Sequence, residues 1–252
     1  MSGPDQRRNL SAAPNTTNAI SGYPVRRSAN NREHGASSRE RILESAAKLF
    51  ASCGFEGVST RALAKTARVN LSAIAYHFGG KDKLYREVLH RLIADSEPPI
   101  RPVIDRLKKA PKLAGDHFAL AELSAWFVRH LLGTILSDGR TGQQMALLMR
   151  EFHQPSPAFS IVLEGRVKPL HDAVAGLVGA ATRRSPKDPQ TLLLTHAVIG
   201  QCMSFGAVRT VVWARLEWDG YTPARVDAVI HTVTGAVLAM LGLPTENPPV
   251  ER

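Results

Sequence analysis

The sequence predicts an all-α protein in two parts: an N-terminal three-helix helix-turn-helix unit and a larger C-terminal helical domain. Beyond residue 36, apolar residues recur every three or four positions, which is the period of a helix and not of a strand. Between Ser37 and Leu89, two short helix signals lie only a few residues apart, as in a motif whose second helix enters the DNA major groove. The predicted parts are a disordered basic tail over 1–36, a helix-turn-helix DNA-binding domain over 37–96, a larger helical domain over 97–244, and a flexible C-terminus over 245–252.

The tail is rich in Ser, Asn, Arg, Pro and Ala and has few large apolar side chains. Such a segment cannot bury enough apolar surface to offset the entropy of ordering, which predicts disorder. Its five arginines could contact DNA phosphates. The interpretation that we favour for the tail is a solvated leader, or a start placed too far upstream.

The first helix is predicted to begin at Ser37, which has the capping-box spacing to Glu40, and to end near Gly54. The second helix is capped by Ser59 or Thr60. The third is capped by Asn70 after a tight turn. A fourth helix, predicted over about 81–95, would couple the two domains.

The open face of the third helix and its flanks are expected to contact DNA. Leu71 and Ala73 suit thymine methyl groups, and the polar side chains suit base edges or phosphates. Lys81 opens the next helix, whose first-turn N–H groups attract anions. Tyr76 could instead be a buried support, and His77 an ordinary surface residue. The predicted DNA-binding residues are Ser59, Thr60, Arg61, Arg68, Asn70, Leu71, Ser72, Ala73, Tyr76, His77 and Lys81.

This segment resembles the DNA-binding domain of the TetR family of bacterial transcriptional regulators. The positions that match in order and spacing are Val58-Ser59-Thr60, Leu63-Ala64, Val69, Ile74, Tyr76-His77-Phe78, Lys81 and Leu84. Two positions depart from the family pattern. Arg68 stands where the family usually has glycine, which costs roughly 1 kcal/mol if the backbone there is left-handed. Gly80 replaces the usual Ser-type cap, which weakens that cap by at most about a few tenths of a kcal/mol.

Helix signals continue to the end of the chain and predict nine or ten helices in all. A kink or restart is expected at Pro169. Asp188-Pro189 and Thr222-Pro223 each combine an N-cap residue with a first-turn proline. They predict two long helices, over about 189–217 and 223–241, which could form a four-helix dimer bundle with a second copy. The last helix could instead be an internal core helix.

The resemblance implies that the C-terminal domain holds a small-molecule pocket and the dimer surface. The C-terminal part also has a fainter likeness to the CecR-like subgroup, at Glu151-Phe152, Ser156-Pro157-Ala158-Phe159, Val167-Lys168-Pro169-Leu170 and Gly200-Gln201-Cys202. This likeness implies a link to drug response and to efflux or transport genes. Aromatic and polar groups on these helices could line the pocket, although ordinary cores and dimer seams have the same composition. The predicted pocket residues are Trp126, His130, Met149, His153, Phe159, Arg166, Gln201, Phe205, Arg209 and Trp213. Arg150, Glu151 and Arg166 could form buried ion pairs or bind an anionic ligand.

Charge and motif content narrow the function. The net charge is +10, and residues 37–96 carry ten Lys or Arg against six Asp or Glu, which favours a polyanionic partner. The sequence has no metal-ligand spacing, phosphate loop or nucleophile motif, so we expect no enzyme activity, metal or cofactor. Two distant cysteines exclude a disulfide framework. No apolar run reaches the ~18 residues of a membrane span, so we expect a cytoplasmic protein without membrane contact.

These patterns indicate a dimeric, ligand-responsive transcription factor, and specifically a repressor. Its partners would be a double-stranded palindromic operator, a small-molecule effector and a second copy bound through the two C-terminal helices. An α-helical protein-binding scaffold without gene-regulatory activity is the alternative, and operator-specific binding separates the two.

Overall fold

The computed structural model describes residues 29–136 and 141–245. Within these ranges every regular element is helical and no strand occurs, which confirms the predicted all-α class. The helices are α1 (Ala29–Cys53), α2 (Thr60–Ala67), α3 (Leu71–Phe78), α4 (Lys81–Leu107), α5 (His117–Leu136), α6 (Thr141–His153), α7 (Phe159–Val162), α8 (Lys168–Thr182), α9 (Pro189–Ala207), α10 (Arg209–Leu216) and α11 (Pro223–Leu241). A 3₁₀ turn precedes α5, and a π-helical segment joins α7 to α8.

Helix α1 is longer than predicted. It begins at Ala29, so the prediction of disorder is wrong for residues 29–36, and Ser37 lies inside the helix instead of at its cap. Residues 29–36 have no apolar stripe to announce a helix, but Gly35 is the only strong helix breaker among them. The helix extends backwards from its packed turns because propagation costs less than nucleation. The predicted tail over 1–28 lies outside the described residues.

The N-terminal helices share one core. Phe50, Leu63, Ile74 and Tyr85, from α1 to α4, are each at most 2% exposed. The rings of Phe50 and Tyr85 meet edge to face with centroids 4.7 Å apart. The same core includes apolar side chains of α6 and α7, so helices outside the predicted DNA-binding domain complete it.

Helix α4 runs to Leu107, whereas the sequence predicted an end near residue 95. The prediction stopped there because prolines usually end helices, and Pro98, Pro99 and Pro102 all lie inside α4. Each proline removes one backbone hydrogen bond, but buried side chains such as Ile100 hold the second half of α4 against the C-terminal core. One helix therefore crosses the predicted boundary at residues 96 and 97.

The C-terminal core is built on the neighbouring helices α5 and α11, with α8 and α9 packed against them. Pro169 lies in the first turn of α8, directly after the π-helical segment Leu163–Val167, as the expected kink or restart requires. Asp188 and Thr222 cap α9 and α11 through their side chains, as predicted.

The predicted helix over 189–217 is two helices bent by 67° at Val208. The bend lies beside a close approach of α9 to α5, since a Cβ on Gly206 would meet the Ile135 Cγ2 at 2.4 Å. This approach depends on tertiary packing and leaves no local sequence signal.

Helices α5 and α11 are long and apolar enough to cross a membrane by length and composition. Neither was expected from the sequence, because polar residues interrupt the apolar run of each helix. In the structure they lie side by side in the C-terminal domain. The most apolar 18-residue window is 56% buried in α5 and 33% buried in α11. The apolar character of α5 is therefore explained mainly by core packing, whereas α11 keeps an open face.

Candidate nucleic-acid interface and internal cavity

The turn between α2 and α3 is fixed by backbone contacts. Ser59 is the N-cap of α2, since its Oγ accepts a hydrogen bond from the Ala62 N–H at 3.1 Å. Arg68 ends α2 in the left-handed region (φ 54°, ψ 50°), so the strain expected of a non-glycine residue is present. The N–H of Val69 donates to the carbonyl of Ala64 at 3.0 Å, which closes the turn and directs α3 away from α2.

Helix α3 buries one face and exposes the other. Ile74 and Phe78 enter the core, while Leu71 is 49% and Tyr76 85% exposed. The exposure of Tyr76 excludes its alternative interpretation as a buried support. Asn70 occupies the N-cap position without a side-chain capping bond, which leaves its amide available on the same open face.

A groove of about 740 Å³ runs along this open face between α1, the end of α2, and α3. It brings together six of the predicted DNA-binding residues: Arg68, Asn70, Ser72, Ala73, Tyr76 and His77. Ser38, Arg41 and Lys65 also line it and were not predicted. The signal for them was present, since Arg41 and Lys65 are basic positions opposite the buried stripes of α1 and α2.

The remaining predicted contacts lie around this groove. Leu71 is on the outer side of α3, and Ser59, Thr60 and Arg61 open α2. Lys81 opens α4, and its Nζ lies 4.3 Å from the centroid of the Phe55 ring. Gly80, just before it, has φ 122° and ψ 179°, a region essentially restricted to glycine. Backbone geometry therefore explains the glycine that replaces the Ser-type cap.

Helix α6 connects the N-terminal unit to the remaining helices through two adjacent residues. The guanidinium of Arg150 donates to the carbonyls of Ala51 (3.1 Å) and Ser52 at the end of α1. Glu151 is 1% exposed and accepts hydrogen bonds from the Tyr85 hydroxyl on α4 and, at 3.0 Å, from the Ser156 hydroxyl. Burial and the neighbouring carboxylate both raise the pKa of Tyr85, so its hydroxyl stays a donor. Arg150 and Glu151 thus bind neighbouring helices.

A cavity of about 730 Å³ lies between α4, α5, α6, α7, the π-helical segment, α8 and α9. Its wall is mainly apolar, and it includes two predicted pocket residues, Phe159 and Arg166. Four ionisable side chains line it: Asp95, Arg166, His171 and His196. Apolar and imidazole side chains that were not predicted also form the wall, among them Met145, Leu148, Phe152, His171, His196 and Met203.

The structure places the other eight predicted pocket residues away from this cavity. Met149 and His153 line a separate surface groove beside Ala51. Trp126 and His130 stack on each other, with Arg106 over the indole. The last four lie on α9 and α10. The amide of Gln201 faces the Met240 sulfur, and the Phe205 carbonyl accepts a hydrogen bond from the Tyr221 hydroxyl. The guanidinium of Arg209 lies over the Trp213 ring. The composition of a helix shows which side chains are suitable for a ligand pocket, but it does not show which face of the helix is turned to the cavity.

Comparison with known proteins gives two family matches that do not overlap. Residues 42–88 match the family described as bacterial regulatory proteins, tetR family. Residues 122–242 match the family described as the C-terminal domain of the HTH-type transcriptional dual regulator CecR. The CecR protein of Shigella flexneri is 27% identical over 203 residues, which cover 79% of this chain and 89% of that protein.

Solved structures share the fold. A TetR-like transcriptional regulator from Rhodococcus sp. RHA1 gives a TM-score of 0.55 at 19% identity and covers 81% of this chain and 96% of its own. AibR, solved in complex with isovaleryl coenzyme A and operator DNA, gives a TM-score of 0.55 at 16% identity, with 79% and 97% covered. At these identities the two structures support the fold alone.

Proposed function

Since the chain belongs to the TetR family of bacterial transcriptional regulators, with a CecR-type C-terminal domain, we propose that it is an effector-released repressor that binds a palindromic operator as a homodimer. The family consists of DNA-binding regulators and not of enzymes, in agreement with the expectation from the sequence. We retain the division into a DNA-binding domain over 37–96 and a ligand-binding and dimerisation domain over 97–244 as part of this proposal. A cytoplasmic location without membrane contact also belongs to it.

The observation that carries the proposal is the open face of α3 beside a groove edged by basic residues. In this arrangement α3 enters the major groove, where Leu71 and Ala73 contact thymine methyl groups and Asn70 and Ser72 reach base edges or phosphates. The hydroxyl of Tyr76 extends to the sugar-phosphate backbone. Cations around the face neutralise phosphates and supply the salt-dependent part of the affinity; they are Arg61, Lys65, Arg68 and Lys81.

The dimer surface is proposed on the open sides of α9, α10 and α11. Exposed apolar side chains gather there, namely Leu192, Leu193, Val208, Val211 and Leu216. The most apolar window of α11 is only 33% buried, which leaves further apolar surface for such an interface to cover. A two-fold interface there would cover this apolar surface and would place the two α3 helices to read the two half-sites of a palindrome.

The effector is proposed to act through α6. Met145, Leu148 and Phe152 on this helix line the cavity, while Arg150 and Glu151 bind α1 and α4. A ligand that favours a different position of α6 would therefore alter the setting of α3 in the dimer. A ligand with equal affinity for both positions would release nothing. Drug-response, efflux or transport genes are the proposed targets, by likeness to the CecR subgroup.

The first experiment measures binding of the full chain to the DNA upstream of its own gene and to a scrambled duplex, at two salt concentrations. Preference for its own DNA by about a thousandfold supports a specific regulator. Equal and steeply salt-dependent affinities for both duplexes contradict operator recognition in that DNA, because phosphate contacts alone have this signature. In vitro transcription from the bound promoter then tests repression, and ultracentrifugation of the protein–DNA complex tests the dimer.

A further inference from the structure

The cavity combines an apolar wall with one partly buried cation. Its volume of about 730 Å³ suits a drug-sized or acyl-chain ligand. Of the described residues that form its wall, Arg166 is the only Lys or Arg. This arginine lies on the π-helical segment Leu163–Val167, where wider helical turns often accompany functional sites.

No ion pair involves Arg166 within the described residues. Its Nε and Nη1 are inaccessible to solvent and have no hydrogen-bond partner among the described residues. Burial lowers the pKa of the guanidinium, and no carboxylate opposes this effect. An arginine stays protonated even so, and therefore an unpaired positive charge is held in a mainly apolar environment at a cost to stability.

The nearby acids are engaged elsewhere. Asp95, which lines the same cavity, forms an ion pair with Arg91 at 3.8 Å. Glu164, on the same π-helical segment as Arg166, forms one with Lys168. Glu97 and Asp105, which line a second groove that Arg166 also borders, pair with Arg101 and Lys108. The described acids around Arg166 therefore all have other partners.

Two imidazoles in the cavity wall add hydrogen-bonding capacity. The rings of His171 and His196 face each other across α8 and α9 with centroids 5.7 Å apart. Burial lowers the pKa of His171, and the neighbouring His196 ring lowers it further, so the His171 ring is neutral at physiological pH. A neutral imidazole can donate to a ligand oxygen through its N–H.

We propose that the effector is an amphipathic organic anion, with its apolar body against the cavity wall and a carboxylate or phosphate group paired with Arg166. This inference rests on the proposed function of the cavity as the effector site. The planar guanidinium offers parallel N–H donors that match a two-oxygen acid group. Binding of the acid group supplies the missing counter-ion, so the headgroup adds affinity as well as orientation.

The test uses the full chain and three probes with the same decyl tail: decanoate, decanol and decyltrimethylammonium. Calorimetric titration without DNA is expected to show decanoate binding at least about tenfold more tightly than decanol, as expected for a charge-assisted hydrogen bond. The ammonium probe is expected to bind more weakly than decanol. Equal affinities for decanoate and decanol, or no binding of any probe, would overturn the proposal.

Arg166→Met tests the residue, and Arg101→Met is the matched control because Arg101 is 70% exposed on α4. The Arg166 variant is expected to lose the preference for decanoate and to bind decanol as the wild type does, whereas the control keeps the preference. Retention of the preference in Arg166→Met would refute the pairing. Operator binding without ligand is measured in the wild type and in the control variant, and a failure of these proteins to bind operator counts against the proposed function and not against the anion site.

Discussion

Tyr85→Phe and Tyr76→Phe make the same chemical change at two sites for which the structure predicts opposite consequences. Tyr85 is 2% exposed and donates to the buried carboxylate of Glu151. Tyr76 is 85% exposed on the open face of α3. We expect the first substitution to reduce the stability of the protein and the second to reduce its affinity for DNA.

The magnitude at Tyr85 follows from the hydrogen bond that is removed. Phenylalanine keeps the edge-to-face contact with Phe50, so little apolar packing is lost. Glu151 keeps only Ser156 as a donor, through its hydroxyl at 3.0 Å and its N–H at 3.4 Å. A hydrogen bond to a buried charge contributes about 1.5–3 kcal/mol, so the free energy of unfolding should fall by that amount. For a chain of this size, the loss lowers Tm by about 3–12 °C.

Urea unfolding at fixed protein concentration measures this difference, since oligomerisation makes apparent stability depend on concentration. For Tyr76→Phe the unfolding free energy should stay within about 0.5 kcal/mol of the wild type. The affinity of this variant for operator should fall roughly fivefold, as expected for one lost hydrogen bond of about 1 kcal/mol. Unchanged stability in Tyr85→Phe would refute the assigned contact with Glu151. A loss of more than about 1.5 kcal/mol in Tyr76→Phe would show that this side chain supports the fold.

Four further predictions concern single positions. Lys81→Ala should lower the slope of log affinity against log salt by about one unit in DNA titrations, and an unchanged slope removes this phosphate contact. Arg68→Gly should raise the unfolding free energy by up to about 1 kcal/mol by relieving the left-handed backbone, whereas a decrease would contradict strain at φ 54°. Gly206→Ala should destabilise the fold by about 1–3 kcal/mol, because its Cβ would lie 2.4 Å from a side-chain carbon on α5. Gly176→Ala is the control, since open space surrounds Gly176, and equal urea midpoints for the two variants would contradict the close approach. Burial raises the pKa of the Cys202 thiol to about 12, so the unfolding free energy should fall above about pH 9, where only the unfolded thiol ionises. The fall should be up to about 1.4 kcal/mol per pH unit, and Cys202→Ala should reduce it when the unfolding free energy is measured against pH.

Features determined by neighbouring residues could be predicted from the sequence. The cap at Ser59 and the buried positions Ile74 and Phe78 depend on local backbone preferences and on the helical period, so α2 and α3 were located within a residue or two. The start of α1 at Ala29 was missed because helix propagation needs no apolar stripe. The end of α4 was missed because tertiary packing overrides the prolines.

Features determined by contacts between distant segments could not be predicted in this way. The groove beside α3 required the positions of α1 and α2, which explains why Arg41 was overlooked. Phe159 and Arg166 line the cavity, but the position of His196 in its wall depends on the packing of α9 against α8. Helical period shows which residues share a face, and only the packing shows what that face meets.

The contacts of α6 restrict how a ligand could transmit a signal. If α6 moved alone, the hydrogen bond between Tyr85 and the buried Glu151 carboxylate would break, at a cost of about 1.5–3 kcal/mol. Allosteric coupling free energies are typically about 1–3 kcal/mol, so this one contact would consume most or all of the available coupling. If α6 and α4 moved together, the bond would be kept and the coupling would remain available to displace DNA. We therefore infer that the two helices respond to the effector as one unit, with the carbonyls at the end of α1, which Arg150 binds, as the contact that yields.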